Sequence, residues 1–373
     1  MNIIEFCLSP ASGGLEIYAY RTVRELAKSH RVFPLVSDQQ ERNLTREYLL
    51  ADGVPFTEIS LRFFRLPLFA ARTVAGMIDR EDIDVLHVHR REDLPLAALA
   101  KRFSRRRPRL IYTCQMKISH SKRDPYHDFV YGQADLLLTI TDQLKGMYAE
   151  RLSSRFKERI RVLYYGVAPP ERALRAAEAA ELRRHHGIEP GAFLVGLFGR
   201  VEHGKGQHLF IEALGKLKQA GQTFRALVVG NAPEHAYLSG LKDRARTLEI
   251  GEAVIFLNFL RDPQELMQIC DCIVLPTYGE TFGRVLIEAM SLAKPVIGSN
   301  RDGVLEIIDD GVNGFLFQSG DSHSLFGKLL EIARNPEQSR VMGEAGQKKA
   351  RAVFSLENHY QELQRLMAGL EPY

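Results

Sequence analysis

Long apolar segments and cysteines are both scarce in this sequence. No uncharged apolar run approaches the ~18 residues that a membrane-spanning helix needs. The first ten residues contain the acidic Glu5 and no basic residue, so they predict a buried strand and not a signal peptide. The spacing of the four cysteines fits neither a zinc site nor a disulfide framework. We therefore expect a reduced, cytoplasmic protein. The cysteines are Cys7, Cys114, Cys270 and Cys272.

Charge is distributed unevenly along the chain, although the net charge is only +4. Residues 1–168 contain 27 Lys+Arg and 20 Asp+Glu, whereas the remainder contains 23 and 26. The densest basic run, KRFSRRRPR, covers residues 101–109. Such a run is usually a solvated face, but it also suits the phosphates of nucleic acid or of anionic lipid.

Short apolar strands alternate with amphipathic helices along the whole chain. Runs of four to eight apolar residues, rich in Val, Ile and Leu, are typical of parallel strands buried on both faces. The helices between them make βαβ units, which indicates the α/β fold class. The predicted strands cover residues 3–8, 31–37, 84–89, 109–114, 134–141 and 159–165, then 192–199, 224–230, 253–259, 272–276 and 294–299.

A stretch rich in glycine and proline, residues 166–191, interrupts this alternation near the middle of the chain. We interpret it as a linker with one short helix between two doubly wound, Rossmann-like domains. Parallel sheets bind ligands beyond the carboxyl ends of their strands, so two such domains facing each other would form a central cleft. The predicted boundaries are 1–168 for the first domain, 169–353 for the second, and 354–373 for a C-terminal helix that packs back towards the first.

The segment PTYGETFGRVLIEAMSLAKPVIGSN begins where a predicted strand ends, at Pro276. It predicts a helix that starts near Thr281, because apolar residues follow at helical spacing. The amino end of that helix offers the backbone N–H groups of residues 281–284 to an anion such as a diphosphate. Gly283 would permit close approach.

Two glutamates belong to the same segment. Glu280 lies at the start of the predicted helix, and Glu288 lies eight residues further on. A carboxylate at Glu288 can accept hydrogen bonds from two ribose hydroxyls. On spacing alone, an i,i+4 salt bridge with Arg284 explains Glu288 equally well. A favourable charge at a helix start likewise explains Glu280.

Two further loops follow predicted strands. In GLFGRVEHGKG, Arg200 and Lys205 flank a turn before a helix, where two cations can stabilise a leaving diphosphate. Ordinary loop charges account for them equally well on local grounds. In SPASGGLE, Gly13 and Gly14 would let backbone amides approach a phosphate or a sugar without a clash from a Cβ.

Together these segments resemble the family-4 retaining glycosyltransferases, which have the GT-B fold. The resemblance covers nearly the whole chain and includes DVLHVH, LYYGV and DDGVNGFLF. It implies that Arg200 and Lys205 bind the donor phosphates, that Glu280 contacts the donor sugar, and that Glu288 binds the nucleotide ribose. It also implies that the glycine loop reaches the donor, with Gly14 the better candidate of the pair. The residues implied to hold sugar and phosphate are Thr281, Phe282, Gly283 and Arg284.

The sequence departs from the family pattern in two places. The family often has a histidine after the strand that here ends in YTCQ. Gln115 occupies that position, and His120 and His127 downstream are candidate substitutes on the acceptor side. Tyr165 and Ala168 replace the usual Asn and Asp of the linker motif. These changes leave the acceptor undefined. The histidines of DVLHVH, His87 and His89, are expected to be satisfied core residues.

The resemblance implies a hexosyltransferase that retains the anomeric configuration and needs neither metal nor cofactor. An Asp-x-Asp metal motif, as used by another glycosyltransferase fold, is not recognised here. The implied donor is a nucleotide-sugar, with a UDP-sugar favoured over a GDP- or ADP-sugar. The implied acceptor is a glycan or lipid-linked glycan of the bacterial cell envelope, such as lipopolysaccharide, and no nucleic acid partner is expected.

Attachment to the inner face of an anionic membrane is a further hypothesis. The basic run and the segment LRFFRLPLFAARTVAGM, residues 61–77, combine arginines with aromatic and aliphatic residues, as interfacial helices do. Packing of those aromatics into the domain core, with the arginines solvated, is an equally good interpretation.

Other functions are weighed against this one. A glycoside hydrolase would use Glu280 and Glu288 as a carboxyl pair ~5–9.5 Å apart, whereas eight residues of helix rise ~12 Å. A dinucleotide-dependent dehydrogenase needs a G-x-G-x-x-G turn, which SPASGGLE lacks. A nucleotide-sugar epimerase and a non-catalytic sugar- or nucleotide-binding protein of the same fold both stay open.

Overall fold

The computed structural model describes residues 1–10, 13–38, 43–60, 68–170 and 172–369. The chain forms two compact units. The first unit consists of Met1–Tyr164 and Glu357–Tyr373, and the second is the continuous segment Tyr165–Leu356. The chain therefore changes unit after Tyr164 and again after Leu356, whereas the sequence pattern put the domain boundaries at 168 and 353.

The first unit contains a parallel sheet of seven strands. Their order across the sheet is β3-β2-β1-β4-β5-β6-β7. Six of the seven were predicted from apolar runs, but β3 has only three residues, two of them exposed, and carries no such run. The strands are β1 (Asn2–Cys7), β2 (Arg31–Ser37), β3 (Thr57–Ile59), β4 (Val85–Val88), β5 (Arg109–Cys114), β6 (Leu136–Thr139) and β7 (Ile160–Val162).

The second unit contains a parallel sheet of six strands in the order β10-β9-β8-β11-β12-β13. Five were predicted, and all residues of β8, β11 and β12 are buried, as expected for strands covered on both faces. The three-residue β13 is too short for a distinct apolar run. The strands are β8 (Phe193–Phe198), β9 (Phe224–Val229), β10 (Val254–Leu257), β11 (Cys272–Leu275), β12 (Val296–Ser299) and β13 (Phe315–Phe317).

Helices connect successive strands in both units and cover the sheets. The predicted fold class, two parallel α/β domains of the Rossmann type, is confirmed. In the first unit they are α1 (Gly14–Leu26), α2 (Leu44–Ala51), α3 (Leu68–Arg80), α4 (Leu94–Phe103), α5 (Pro125–Gly132) and α6 (Asp142–Arg151). Then follow α7 (Ala176–His185), α8 (Gln207–Gln219), α9 (His235–Thr247), α10 (Gln264–Ile269), α11 (Arg284–Ser291), α12 (Val304–Ile307), α13 (Ser322–Arg334), α14 (Pro336–Val353) and α15 (Leu356–Met367).

Three polar side chains lie in the core of the first unit: Glu5 on β1, His87 on the neighbouring strand β4, and His89 directly after β4. Glu5 accepts hydrogen bonds from His87 Nδ1 (2.9 Å) and His89 Nε2 (2.6 Å), and His87 Nε2 lies 2.7 Å from the Thr113 hydroxyl. Burial alone would raise the pKa of Glu5, but the two imidazoles outweigh it and lower that pKa. His87 is thus the satisfied core residue that was expected, whereas His89 Nδ1 has no hydrogen-bond partner in the described residues.

The four thiols are all buried and unpaired, as the cysteine spacing indicated. Burial raises the pKa of Cys270 to about 12, which keeps it a thiol at neutral pH. Among the described residues, none of the helices combines the length and the apolar character that crossing a bilayer requires.

The two places where the chain changes unit are tied together by hydrogen bonds. In the second unit, the Val167 amide donates to the Phe354 carbonyl (2.8 Å), and the Leu356 amide donates to the Val167 carbonyl (3.1 Å). In the first unit, His359 Nδ1 donates to the Tyr164 carbonyl (2.6 Å). The two connecting segments therefore lie side by side within each unit.

The buried ring of His359 makes folding sensitive to acid. Burial lowers the pKa of His359 to about 4, and the Tyr18 hydroxyl lies 3.1 Å from its Nε2. The folded state disfavours protonation of His359. The contribution of the neutral ring to the free energy of unfolding is therefore fully present above pH 6.5 and is lost as the pH falls towards 4. The amount is roughly 3 kcal/mol, since each pKa unit is ~1.4 kcal/mol.

We expect His359→Asn, which can still donate to the Tyr164 carbonyl but cannot be protonated, to lose less Tm than the wild type between pH 7 and pH 4. Thermal unfolding over a pH series measures this. His323→Asn, at an exposed histidine, is the matched control and should follow the wild-type profile. Parallel profiles for His359→Asn and the wild type would contradict the expectation.

Candidate functional site

The strand order of the second sheet reverses between β8 and β11. At such a reversal the connections leave in opposite directions, which opens a crevice beyond the carboxyl ends of the two strands. The loop after β8, residues 199–206, and the loop after β11, residues 276–283, flank this crevice. These are the loops that carry Arg200, Lys205 and Glu280. The topology therefore brings together two sequence segments that were singled out separately.

Backbone contacts join the two loops. The Tyr278 amide (3.0 Å) and the Thr277 hydroxyl (3.1 Å) both donate to the Gly204 carbonyl. Gly206 has a left-handed conformation (φ 73°), and a Cβ on it would lie 1.9 Å from the Pro276 carbonyl oxygen. Only glycine fits there, so the two loops are held in one fixed arrangement.

The cations and carboxylates of the crevice form ion pairs. Lys205 Nζ lies 2.6 Å from Glu280 Oε2, and both side chains are mostly buried. Arg200 is more open, with about half of its side chain exposed (48%), and its backbone carbonyl accepts a hydrogen bond from buried Gln207 (2.8 Å). Arg200 Nε lies 3.7 Å from Glu202 Oε2, and the exposed half of the side chain leaves the guanidinium accessible to an anionic ligand.

The helix of this site starts later than predicted. We expected it near Thr281, but α11 begins at Arg284, with Gly283 as its N-cap residue (φ 104°). A residue with positive φ cannot continue a helix backwards, so Thr281 and Phe282 belong to the preceding loop. No side chain caps α11. The positive end of its helix dipole therefore lies at Gly283, beside the loop that carries Glu280.

Glu288 makes the salt bridge that its spacing allowed. Arg284 Nη2 lies 2.8 Å from Glu288 Oε1, and each side chain is 19% exposed. The pair stands on one face of α11, with Arg284 at the helix start and Glu288 about one turn further on. This geometry establishes the structural role of Glu288 and leaves its binding of ribose as a prediction.

Gly13 and Gly14 lie in the first unit, at the corresponding reversal of strand order between β1 and β4. Gly13 is extended (φ −171°), a conformation open to any residue, and a Cβ on Gly14 would meet nothing within 4 Å in the described part of the chain. Neither glycine is required by the backbone of the described residues. Nearby, the Ser9 hydroxyl donates to buried Glu16 (2.5 Å). Ala11 and Ser12 of SPASGGLE lie outside the described residues.

The acceptor-side candidates are not brought together by the described contacts. Gln115 follows β5 directly and is buried, whereas His120 is exposed. His127 is bound to Asp124, the N-cap of its own helix α5, through its backbone amide and its Nδ1. His127 therefore has a local structural role.

Asp93 was not singled out from the sequence. It lies at the start of α4, beyond the carboxyl end of β4, and is 2% exposed. Neither carboxylate oxygen accepts a hydrogen bond from the described residues, and the nearest cation, Arg90, is 4.0 Å away. Burial raises the pKa of Asp93 to about 7. In REDLP it resembles any acidic residue at a helix start, so only the structure distinguishes it.

One Asp-x-Asp triplet does occur, which corrects the expectation from the sequence. Asp82 and Asp84 lie before β4, at the amino end of that strand. Arg106 donates to Asp82 (2.9 Å) and Asp84 (3.1 Å), and the Asn2 amide also donates to Asp84 (2.8 Å). Both carboxylates are committed to protein partners at the amino end of β4, away from the carboxyl ends of the strands of the first sheet.

One other group among the described residues has side chains that could jointly ligate a metal: Glu5, His87 and His89. All three are buried, and their hydrogen bonds to one another satisfy the carboxylate. Apart from His89 Nδ1, which has no hydrogen-bond partner in the described residues, the cluster is a satisfied polar network of the core.

Comparison with known proteins covers both units. The family model described as Glycosyltransferase Family 4 matches residues 12–170, and the model described as Glycosyl transferases group 1 matches residues 178–349. Similar proteins include the N-acetyl-alpha-D-glucosaminyl L-malate synthase of Bacillus anthracis, which is 24% identical over 93% of this chain and 92% of that protein. The lipopolysaccharide core biosynthesis mannosyltransferase LpcC of Rhizobium leguminosarum is 26% identical over 73% of this chain and 74% of its own.

A solved structure shares the fold. HepE of Anabaena, determined in complex with UDP and glucose, superposes with a TM-score of 0.84 at 23% identity, over 99% of this chain and 100% of that chain. Two Rossmann-like units in one chain, matched along their length by this structure, define the fold class. The chain belongs to the family-4, group 1 glycosyltransferases with the GT-B fold.

Proposed function

We propose that this protein transfers a hexose from a UDP-sugar to a glycan or lipid-linked acceptor of the bacterial cell envelope, with retention of the anomeric configuration. The observation that carries the proposal is the Lys205–Glu280 pair, 2.6 Å apart, beside the uncapped start of α11. The similarity to LpcC supports an envelope acceptor, and the UDP in the HepE structure supports the choice of nucleotide.

The donor is proposed to lie across the crevice of the second unit. Its diphosphate would meet Arg200, Lys205 and the positive end of α11, where negative charge grows as the sugar departs. Glu280 would contact the sugar and Glu288 the ribose hydroxyls. The glycine loop at Gly13 and Gly14 would approach the donor from the first unit. The acceptor would be bound by the first unit, with Gln115 and His120 as candidate contacts.

Two alternatives keep the same fold. A nucleotide-sugar epimerase would convert the donor without an acceptor, and a non-catalytic protein would bind the donor and release it unchanged. A panel of UDP-, GDP- and ADP-sugars tests donor choice, because a specific ligand raises Tm by mass action. Transfer or hydrolysis of the sugar that binds then separates the three functions. Conversion to an epimer, or no turnover at all, would contradict the proposed transfer.

Arg200→Ala or Lys205→Ala is expected to lower turnover by at least ~10²-fold, because each cation is placed where charge develops in the transition state. Initial rates at saturating donor measure the effect. Lys218→Ala, an exposed lysine of α8 paired with Glu249, is the matched control and should turn over normally.

The same assay is run with EDTA. Turnover should persist, because two protein cations and a helix terminus neutralise the diphosphate in the proposed mechanism. Loss of activity in EDTA with recovery on adding Mg²⁺ or Mn²⁺ would overturn the metal-independent mechanism.

Near-normal turnover of Arg200→Ala or of Lys205→Ala would show that the substituted residue serves only the structure of its loop.

Glu288→Ala is expected to weaken binding of the donor nucleotide by roughly tenfold, the effect of losing a carboxylate that holds ribose hydroxyls. Calorimetric titration measures the affinity, and thermal unfolding measures the fold. If Glu288 serves only Arg284, the variant will lose Tm and keep its affinity, which is the opposite outcome.

We propose membrane attachment of the first unit through fewer basic residues than the sequence suggested. Lys101 is buried against Asp135, and Arg106 is held by two aspartates, so part of the basic run is neutralised. Arg102, Arg105 and Arg107 are exposed.

Two exposed aromatics lie on the neighbouring helices α3 and α4. Phe69 is 78% exposed and Phe103 38%, and the Arg72 guanidinium stacks over the Phe103 ring (5.1 Å). Arginines beside exposed aromatics suit the headgroup region of an anionic bilayer. Residues 61–67 of the segment first considered lie outside the described residues.

The double variant Arg102→Glu/Arg105→Glu should lower co-sedimentation with anionic liposomes at least ~10-fold, since each basic residue near such a surface contributes about 1 kcal/mol. Salt should weaken wild-type binding. The control Arg184→Glu/Lys348→Glu makes the same change in net charge at exposed positions of the second unit. Equal recovery on neutral and anionic liposomes would rule out this attachment and favour a soluble acceptor.

A further inference from the structure

The ring of Phe282 is enclosed by two other aromatic rings of the second unit. Tyr165 meets it edge to face, with centroids 5.2 Å apart and planes at 82°. Phe354 meets it in the same manner at 5.8 Å and 87°. Phe282 and Phe354 are each 1% exposed, and Tyr165 is 6% exposed. This arrangement is the favoured geometry for aromatic pairs, and it is well packed on both sides.

The two supporting rings stand on two backbone segments that hydrogen bonds join. Tyr165 is the first residue of the second unit, and Phe354 lies between α14 and α15. Val167 hydrogen-bonds through its amide to the Phe354 carbonyl and through its carbonyl to the Leu356 amide. The segments that carry the two rings are therefore fastened to each other beside the points where the chain changes unit.

Phe282 lies in the loop after β11, between Glu280 and the start of α11. The other side of this loop is clamped by Gly303, whose amide donates to the Glu280 carbonyl (3.0 Å). A Cβ on Gly303 would lie 2.4 Å from the Thr281 carbonyl oxygen and 2.7 Å from the Phe282 Cα. The loop is thus held between the backbone at Gly303 and the ring cluster. Movement of the Phe282 ring would move the peptide groups proposed to meet sugar and phosphate.

We propose that Tyr165 is a positioning residue of the donor site, which acts through the Phe282 ring. The effect of Tyr165 on donor binding rests on the proposed function, whereas its effect on the loop rests on the ring geometry alone. A site held by a second layer of packed side chains loses affinity when that layer loosens, even though no ligand contact is removed.

Two measurements test the proposal without depending on each other. Hydrogen exchange of the unliganded protein, read on the peptide that spans residues 280–286, reports on the loop itself. Calorimetric titration with UDP reports on the site. Tyr165→Leu removes the ring, Tyr165→Phe retains it, and Phe224→Leu is the control, a buried ring at the amino end of β9 in the same unit.

Tyr165→Leu is expected to raise exchange in residues 280–286 and to weaken UDP binding about tenfold, in keeping with the loss of an aromatic pair. Tyr165→Phe should match the wild type in both measurements within about twofold. Phe224→Leu should lower Tm and leave both unchanged. Placed on a Phe282→Leu background, Tyr165→Leu should add no further loss of affinity, because the ring through which it acts is already gone.

The outcomes separate failure of this inference from failure of the proposed function. If the wild type does not bind UDP, the proposed donor is wrong, and the exchange measurement still decides the role of Tyr165. Unchanged exchange in Tyr165→Leu would overturn the inference even if UDP binds. Equal losses in Tyr165→Phe and Tyr165→Leu, or an undiminished loss on the Phe282→Leu background, would overturn it as well.

Discussion

The close approach of Gly206 to Pro276 is the constraint on which the site of the second unit depends. A Cβ at Gly206 would lie 1.9 Å from the Pro276 carbonyl oxygen, so the loops after β8 and β11 can meet only because one residue has no side chain. The hydrogen bonds to the Gly204 carbonyl follow from this contact. The contact also brings Lys205 within reach of Glu280. Strand order brings the loops to the same edge, and this contact sets their separation.

The strands were predictable because each is a short apolar run between turn residues, and burial on both faces selects such runs. The edge strands β3 and β13 were not, since two of the three β3 residues are exposed, and β13 is a three-residue segment outside any longer apolar run. The start of α11 was misplaced for a different reason. Its sequence continues the helical pattern back to Thr281, but the left-handed conformation of Gly283 ends the helix. A Cβ at Gly283 would also lie only 3.2 Å from Leu275 and 3.3 Å from Leu286.

The site residues show a similar division. Loop position and spacing made Arg200, Lys205, Glu280 and Glu288 candidates, but only the resemblance to the glycosyltransferase family favoured donor binding over ordinary structural roles. Their partners depend on distance across the crevice, which no local pattern contains. Asp93 was not selected because an acidic residue at a helix start is ordinary. Only the folded structure shows that its carboxylate is buried without a hydrogen-bond partner among the described residues. Conversely, the basic run overstated the exposed charge, since Lys101 and Arg106 have carboxylate partners distant in sequence.

The hydrogen bonds that join Val167 to Phe354 and Leu356 have a consequence for the modular character of the chain. The second unit is one uninterrupted segment whose ends lie side by side, and in the first unit Tyr164 and His359 are likewise adjacent. In chain order, the whole second unit is an insertion between Tyr164 and Glu357 of the first unit. Such an insertion adds little loop-closure entropy to its host, because the host ends need not separate to admit it. The architecture is therefore one in which the second unit can be replaced as a single segment, at two neighbouring peptide junctions.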